Sequence, residues 1–427
     1  MLGFVIAWAA IAALAWPSAM SAAELATPSP AVPAELTLRA AVQLSLSANP
    51  RLQSLGWEQR KADARTRQAD ARPNPQLSIG VESAAGASAG SEATLSVGQL
   101  LELGGKRDAR VALARAEGRV ALLDAEAERL LLIGDVVARF LEALGAERAL
   151  VVSEEEIHAA EEASATNAHR VASGAAHPVE KRRADVELAS LRLERTILKS
   201  EAANARARLS ATWGEAEPRF ATLAGSLDSL PALPNLDSLH ARALGSPLVA
   251  RWRQEREARQ RRLDFERARR MPDVTPSLGV RRVEGGDHSL LGGISLPIPL
   301  FDRNRGSIEE ATAALRQAPL AEAQARLELR VALAERHAEL RRERDKIDAL
   351  RREVLPEAAR AFEEIRSGYE RGRFSYLDLL EARRTWLRAR REELLTLLDA
   401  HLAVADLERL AGDSLDSLSR TEGRLER

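Results

Sequence analysis

Apolar and polar side chains alternate with a period of two in two short parts of the chain, residues 76–103 and residues 275–300. The apolar positions are Leu77, Ile79, Val81, Leu95, Val97, Leu101 and Leu103 in the first part, and Leu278, Val280, Leu290, Ile294, Leu296, Ile298 and Leu300 in the second. Because successive side chains of a strand point to opposite faces, each part predicts a β-hairpin with one apolar and one polar face. Strands between lipid and a watery lumen show this pattern, and so do half-buried hairpins of soluble domains.

Long stretches with few helix-breaking residues follow both predicted hairpins, at about 106–171 and 305–371. At 1.5 Å per residue, a helix of about 65 residues is on the order of 100 Å long, far longer than a globular domain. A turn and a returning helix follow each stretch, so the pattern predicts two long antiparallel helical hairpins. Pro319 and Pro356 lie inside the second stretch and predict local kinks, because proline removes a helical hydrogen bond.

The same order of elements occurs twice along the chain. Gly174, in the turn after the first long stretch, recurs as Gly372, 198 positions later (372 − 174 = 198). The predicted hairpins recur at nearly the same offset, which indicates an internal duplication. We therefore divide this part of the chain into a first repeat (37–212), a proline-containing equatorial segment (213–245) and a second repeat (246–413).

Both ends of the chain differ from the repeats. An apolar run at residues 2–16 is followed by small residues and resembles a secretory signal peptide that occupies residues 1–23. A membrane anchor helix is the alternative interpretation of this run. Residues 24–36 contain three prolines and predict an extended linker, and residues 414–427 predict a flexible tail.

Composition narrows the possible function classes. The 62 Lys and Arg residues nearly balance the 63 Asp and Glu residues, so no basic surface for nucleic acid is indicated. The chain has no cysteine, which excludes disulfides and thiolate metal sites. Its seven histidines show no His-x-x-x-His spacing that would place two of them on one helix face, and we expect them to be solvated. We predict no enzyme activity, no cofactor and no metal site.

A segment rich in proline and arginine connects the second predicted hairpin to its long helix. Its sequence, SLPIPLFDRNRG at 295–306, resembles the strand-to-helix signature of the TolC-like outer-membrane efflux family, and in particular of its heavy-metal (CzcC-like) subgroup. Residues 100–107 are its counterpart in the first half. We expect Pro299 to end strand pairing and Asp302 to cap the first helical turn. The signature is carried by Pro297, Pro299, Phe301, Asp302, Arg303, Asn304 and Arg305.

A second signature, at 369–382, follows the second long helix, and residues 173–180 occupy the matching place in the first half. The resemblance implies that these turns close a channel and dock a periplasmic adaptor, through Gly174, Gly372, Arg373, Phe374, Ser375, Tyr376 and Leu377. It also implies an acidic ring at the aperture, formed by Glu180, Asp378 and Glu381. Such a ring would favour cations, and the alternative is that these carboxylates only stabilise helix N-termini.

The resemblance covers about residues 37–413 and implies a mainly α fold with a small β part. Each protomer would supply long antiparallel helical hairpins and four transmembrane β-strands. Four strands cannot close a barrel, since the smallest membrane barrels need about 8. The family solution is a homotrimer, in which a 12-stranded barrel in outer-membrane lipid continues as an α-helical tunnel.

The implied function is the outer-membrane channel of a tripartite RND-type efflux system. Its partners would be a periplasmic adaptor (membrane fusion protein) and an inner-membrane RND pump, and its cargo divalent cobalt, zinc, cadmium or nickel, exported from the periplasm to the exterior. We expect localisation in the cell outer membrane, with most of the mass in the periplasm. Drug efflux or type I secretion by a channel of the same fold is one alternative, and a soluble coiled-coil scaffold or periplasmic adaptor is a more distant one.

Overall fold

The computed structural model describes residues 32–83, 91–283 and 287–412, together with Leu425. The predicted signal peptide, most of the predicted linker and all of the predicted tail except Leu425 lie outside the described residues. The turns of both predicted hairpins also lie outside them, at 84–90 and 284–286.

The first half of the chain is dominated by one very long helix. Its elements are β1 (Glu35–Leu36), α1 (Leu38–Ala48), α2 (Pro50–Asp70), β2 (Gln76–Ser83), β3 (Ser91–Gly98), α3 (Lys106–Ala172) and α4 (Pro178–Ala211). Asn49 caps α2, because its Oδ1 accepts hydrogen bonds from the backbone N–H groups of Arg51 at 2.8 Å and Leu52 at 3.1 Å. Helix α3 has 67 residues and is therefore about 100 Å long.

The second half has the same order with one interruption. Its elements are β4 (Thr222–Leu223), α5 (Leu236–Gly245), α6 (Pro247–Arg269), β5 (Thr275–Val283), β6 (His288–Ser295), α7 (Arg305–Ala349), α8 (Leu355–Glu370) and α9 (Tyr376–Leu410). A π-helical turn, Leu350–Val354, separates α7 from α8 directly before Pro356. The proline ring would clash with a preceding carbonyl in an uninterrupted α-helix. Helix α7 continues through Pro319, so only Pro356 interrupts it.

Both predicted hairpins are present, and they join into one antiparallel sheet with the strand order β2-β3-β5-β6. The register places Ile79, Leu95, Val280 and Leu290 in a single row across the four strands. These four side chains are between 47% and 81% exposed and belong to an apolar face, which ends toward the hairpin turns at the row of Val81, Ala93, Arg282 and His288. The opposite face carries small and polar residues, among them Ser78, Ser96, Gly98, Ser277 and Gly279.

The strands are shorter than the alternation predicted. Pairing in β6 stops at Ser295, before Pro297, so the expectation that Pro299 ends it is wrong. Proline has no N–H to donate, and two prolines so close together leave residues 296–304 without regular structure. Strand β3 ends at Gly98. Beyond it the Gln99 N–H donates to the Pro276 carbonyl at 3.0 Å, and Leu101 forms an isolated pair with Val274.

Two apolar clusters hold the middle of the helices together. One joins α1, α3 and α4 with the segment after α4, and its most buried side chains include Phe140, Leu209 and Trp213. The other joins α5, α7 and α9. Leu425 packs in the first cluster, and its carbonyl accepts a hydrogen bond of 2.7 Å from the Ser226 N–H. The predicted flexible tail is therefore packed at Leu425.

The equatorial segment is fastened to the second half through its backbone carbonyls. Arg351 Nη2 donates to the Asp228 carbonyl at 2.8 Å, and His401 Nε2 lies 2.9 Å from the Ser229 carbonyl. His401 is only 2% exposed, so the expectation of solvated histidines is wrong at this position. Burial is tolerated because the ring nitrogen has a polar partner.

Candidate functional site

The turns that end the two helical hairpins have the same backbone geometry. Gly174 and Gly372 both have a φ of 74°, a conformation that glycine adopts without strain. After each glycine an N–H reaches back to the preceding helix, from Ala175 to the Arg170 carbonyl and from Arg373 to the Gly368 carbonyl, both at 2.8 Å. This arrangement closes a helix C-terminus. We refer to the two turns, residues 173–177 and 371–375, as the tip turns.

The helices that leave the tip turns are capped differently. His177 Nδ1 accepts a hydrogen bond of 3.2 Å from the Val179 N–H at the start of α4. At the start of α9, Ser375 Oγ accepts one of 3.2 Å from the Asp378 N–H, and Asp378 Oδ2 accepts one of 2.9 Å from the Ser375 N–H. Asp378 Oδ2 also accepts a hydrogen bond of 2.7 Å from the Ser375 hydroxyl. The hydroxyl and the N–H of Ser375, which both donate to this carboxylate, hold the pKa of Asp378 below its ordinary value. Asp378 therefore forms a capping box with Ser375 at the N-terminus of α9.

The acidic residues at the tip differ in their environment. Glu180 and Asp378 both lie in the first turn of a helix, where the macrodipole stabilises a carboxylate. Glu381 lies one turn further along α9 and is exposed. Within one chain, Glu180 is the only one of the three whose carboxylate contacts the other hairpin, among the described residues.

Tyr369 connects the two hairpins just behind the tip turns. Its hydroxyl lies 2.6 Å from Asn167 Oδ1 and 3.0 Å from Glu180 Oε2, and its one proton is shared between these acceptors. The Arg170 guanidinium lies 4.2 Å from the centre of the Tyr369 ring, and the Tyr376 ring lies 5.9 Å away. Burial of the phenol and its hydrogen bond to Glu180 raise the pKa of Tyr369 to about 12. The hydroxyl is therefore protonated at any physiological pH.

Tyr376 was one of the tip residues predicted from the sequence, whereas no role was predicted for Tyr369. The chain has only two tyrosines, and both lie within the second signature, seven residues apart. Their concentration at one place was the available signal. The partner of Tyr369 was not predictable in this way, because Asn167 is about 200 residues earlier in the chain.

The remaining tip residues form an exposed and partly apolar end. Phe374 and Leu377 are about half exposed. One edge of the Phe374 ring packs on Gly368, where an added Cβ would clash with Phe374 Cδ2. Arg373 is exposed, while Tyr376 is buried beside Tyr369. The tip thus presents Arg373, Phe374 and Leu377 to the exterior of the chain.

A second connection between the hairpins involves a buried carboxylate. Glu156 on α3 is 3% exposed, and its Oε2 lies 3.2 Å from Arg391 Nη2 on α9. Arg391 also forms an ion pair with Glu194 on α4. Burial raises the pKa of Glu156 above its ordinary value. No sequence motif indicated this group, since it consists of ordinary charged helix residues.

The strand-to-helix signature does not cap its helix as expected. Asp302 Oδ1 accepts a hydrogen bond of 2.9 Å from the Asn304 N–H, which lies before the helix. Asn304 occupies the N-cap position with a φ of 54°, and its Nδ2 donates to the Glu266 carbonyl at 2.8 Å. Asp302 therefore orders the loop, and Asn304 ties the start of α7 to α6. The other signature residues, Pro297, Pro299, Phe301, Arg303 and Arg305, are exposed.

Neither a metal cluster nor a membrane-spanning helix is found in the described part of the chain. No group of three or more His, Cys, Asp or Glu side chains there is placed to hold a metal ion. Over the same residues, none of the helices is both long and apolar enough to cross a membrane.

Known proteins are similar to this chain in sequence and in fold. Residues 41–215 and 240–413 match the family model described as outer membrane efflux protein. The cobalt-zinc-cadmium resistance protein CzcC of Cupriavidus metallidurans is 33% identical over 381 residues, which are 88% of this chain and 90% of that protein. The nickel and cobalt resistance protein CnrC of the same organism is 33% identical over 300 residues, 67% of this chain and 68% of that protein.

Solved structures show the same fold at lower identity. A membrane protein from Pseudomonas aeruginosa superposes with a TM-score of 0.74 at 22% identity, over 89% of this chain and 91% of that one. The channel protein CusC superposes with a TM-score of 0.72 at 19% identity, over 88% of this chain and 92% of that one. The family is one of transport channels, not of enzymes. The chain belongs to the outer membrane efflux protein family.

Proposed function

We propose that this chain is the outer-membrane channel of a tripartite RND-type efflux system that exports divalent heavy-metal cations. The observation that carries the proposal is the four-stranded sheet with an exposed apolar face. An apolar surface of this extent on an isolated chain marks contact with a membrane or a partner. Its small and polar opposite face suits a water-filled lumen.

The edges of this sheet support a trimeric assembly. Among the described residues, the outer edges of β2 and β6 pair with no other strand. Unpaired backbone groups are costly in lipid, so a membrane sheet must close on itself. We infer that β6 of one protomer pairs with β2 of the next, and that three copies of the sheet form a 12-stranded barrel. The helical hairpins would then form a tunnel in the periplasm.

The tip turns lie at the far end of these hairpins from the sheet and would form the periplasmic aperture. Three copies of Glu180, Asp378 and Glu381 around a narrow opening would concentrate negative potential and favour cations. The exposed residues Arg373, Phe374 and Leu377 would dock the hairpin of a periplasmic adaptor, which in turn binds the inner-membrane RND pump. Contacts of Tyr369 between the hairpins would keep the aperture closed at rest.

The cargo assignment rests on the relatives. CzcC is named for resistance to cobalt, zinc and cadmium, and CnrC is named for resistance to nickel and cobalt. CzcC aligns with 88% of this chain. A channel need not bind the ion that it passes, so export does not require a metal-binding cluster. The proposal therefore assigns cation selection to the potential at the aperture and to the pump.

Two measurements test this function. Deletion of the gene should lower tolerance to cobalt, zinc, cadmium or nickel, and the wild-type gene should restore it. Unchanged metal tolerance together with lost drug tolerance would instead assign drug efflux to the channel. The purified mature protein should require detergent and have the mass of three chains. Extraction without detergent as a monomer or dimer would contradict the channel and favour a soluble scaffold.

A further inference from the structure

The loop between the sheet and α7 exposes large apolar side chains. We call residues 296–304 the junction loop. Phe301 is 98% exposed, Ile298 73% and Leu300 63%. They follow β6 directly, whose own apolar residues Leu290 and Ile294 are equally exposed. The apolar surface of the sheet therefore continues into the junction loop, at the end of the sheet where the helices begin.

A basic cavity of about 590 Å³ adjoins these apolar side chains. It lies between the junction loop and the C-terminal end of α6. Its charged lining residues are Lys106, Arg269, Arg270, Asp273, Asp302 and Arg303. Four basic and two acidic side chains give this lining a formal charge of +2. The cavity therefore combines a positive charge with an apolar rim.

Four basic side chains at the two junctions form ion pairs within the chain. At the matching junction of the first half, Arg107 pairs with Asp70 at 2.8 Å and Arg110 pairs with Glu102. Within the cavity, Lys106 pairs with Asp273 at 2.6 Å, and Arg269 pairs with Glu266 at 2.9 Å.

Two arginines of the cavity differ from all of these. Neither Arg270 nor Arg303 forms an ion pair with any described residue. The one side-chain hydrogen bond of Arg303 runs from Nε to the Pro299 carbonyl at 3.3 Å. The second junction thus keeps two guanidinium groups available for an external anion, beside an apolar loop.

We propose that the junction loop rests in the periplasmic leaflet of the outer membrane and that Arg270 and Arg303 bind the head group of an acidic phospholipid. This inference rests on the proposed function, because it requires the sheet to lie in the membrane. Ile298, Leu300 and Phe301 enter the upper acyl region, as apolar side chains at membrane interfaces do. Guanidinium groups bind phosphate through paired N–H donors, and an acidic lipid adds a favourable charge.

The test compares two lipids that differ only in head-group charge. Purified full-length protein in mild detergent is titrated with phosphatidylglycerol or with phosphatidylcholine of identical acyl chains, and bound lipid is counted by native mass spectrometry. Wild-type protein should bind phosphatidylglycerol more tightly. One arginine near a membrane surface changes affinity about fivefold, so the double variant Arg270→Gln/Arg303→Gln should weaken phosphatidylglycerol binding about 25-fold. Binding of phosphatidylcholine should change little.

The control removes the same charge far from the junction loop. Arg195 on α4 and Arg341 on α7 are exposed and form no ion pair with a described residue, so Arg195→Gln/Arg341→Gln should leave both affinities unchanged. Equal loss in this control, or equal affinity of wild-type protein for both lipids, would overturn the proposal. The substituted arginines lie at a helix end and in a loop, and an unchanged circular dichroism spectrum confirms that the variants fold.

A second copy of the chain is the other possible occupant of the junction loop. In that case Ile298→Ser/Phe301→Ser would dissociate the oligomer, and wild-type protein would show no preference for the acidic lipid, which overturns the proposal. If the lipid covers the loop, the oligomer persists in this variant and phosphatidylglycerol binding falls. Failure of wild-type protein to insert into liposomes would instead contradict the proposed channel function.

Discussion

The Tyr369 hydroxyl on α8 lies 3.0 Å from Glu180 Oε2 on α4, so one hydrogen bond joins the ends of the two helical hairpins. Asn167 on α3 accepts from the same hydroxyl at 2.6 Å. Three helices thus meet at a single polar atom immediately behind the tip turns. If the hairpins move apart when the aperture opens, this contact must break.

Replacing Tyr369 with Phe should favour the open aperture. The substitution keeps the ring and removes the hydroxyl, which leaves the buried Asn167 oxygen without this donor at a cost of about 1–3 kcal/mol. A change of this size corresponds to a shift of about 5- to 150-fold in the ratio of closed to open channels. Single-channel conductance in planar bilayers would show it as longer or larger openings.

Tyr376→Phe is the matched control for this measurement. The Tyr376 ring is buried beside Tyr369, but its hydroxyl makes no hydrogen bond to any described residue. Loss of that hydroxyl should leave the conductance unchanged. Equal effects of both substitutions would mean that ring packing, and not the hydrogen bond, holds the tip.

The same contact predicts how Tyr369 titrates. Tyr376→Phe leaves Tyr369 as the only tyrosine, and its phenolate absorbance should appear with a pKa of about 12. Because folding raises this pKa, the protonated phenol contributes fully to the stability of the folded chain below the ordinary pKa of 10.0. This contribution is lost as the pH rises through about 12. Adding Glu180→Gln should lower the pKa, because it removes a negative charge. A titration near 10.0 in both proteins would contradict the burial of this phenol.

Arg391 should be important for stability because its partner is buried. Arg391→Met leaves the buried Glu156 carboxylate without its ion-pair partner and should lower the free energy of unfolding by about 3 kcal/mol. The loss should shrink at acidic pH, where Glu156 is protonated and neutral. Chemical denaturation at two pH values measures both effects.

Its neighbour in sequence provides the control. Arg390 pairs with Glu155 at 3.3 Å, and the Glu155 side chain is 54% exposed. Arg390→Met should therefore cost no more than about 1 kcal/mol, as exposed ion pairs do. Similar losses for Arg390 and Arg391 would show that the burial of Glu156 is unimportant.

Substitutions of Glu381 and Asp378 distinguish a role of these carboxylates in cation selectivity from a role in helix capping. Glu381→Gln removes a charge from an exposed side chain that caps no helix, so it should lower the cation selectivity of the channel without loss of stability. Asp378→Asn should lower selectivity and also cost about 1 kcal/mol, because Asp378 takes part in the cap with Ser375. Reversal potentials in salt gradients measure the selectivity. Glu126→Gln, on an exposed part of α3 remote from the tip, should have no effect.

Local sequence patterns were sufficient for the elements of the fold. The period-two alternation located both hairpins, and Gly174 and Gly372 located both tip turns, because strand geometry and positive φ angles depend on a few adjacent residues. The breaker-free stretches located the long helices for the same reason. The family signatures added the expected assembly and function.

Details that depend on two competing local partners were predicted less well. The sequence allowed Asp302 to cap α7, but its carboxylate bonds to the Asn304 N–H inside the loop, and Asn304 takes the cap position. Likewise, the alternation continued past Ser295, but a strand needs a partner and available N–H groups. The prolines that follow remove those groups.

Contacts between distant parts of the chain were decided by the tertiary structure alone. Tyr369 meets Glu180 across 189 residues, and Arg391 meets Glu156 across 235. The buried His401 meets the Ser229 carbonyl of the equatorial segment, 172 residues earlier in the chain. Helical periodicity says which side chains share a face, but it does not fix how far one helix slides along another. That offset is set by the packing of whole apolar faces, and it determines which polar side chains meet between the hairpins.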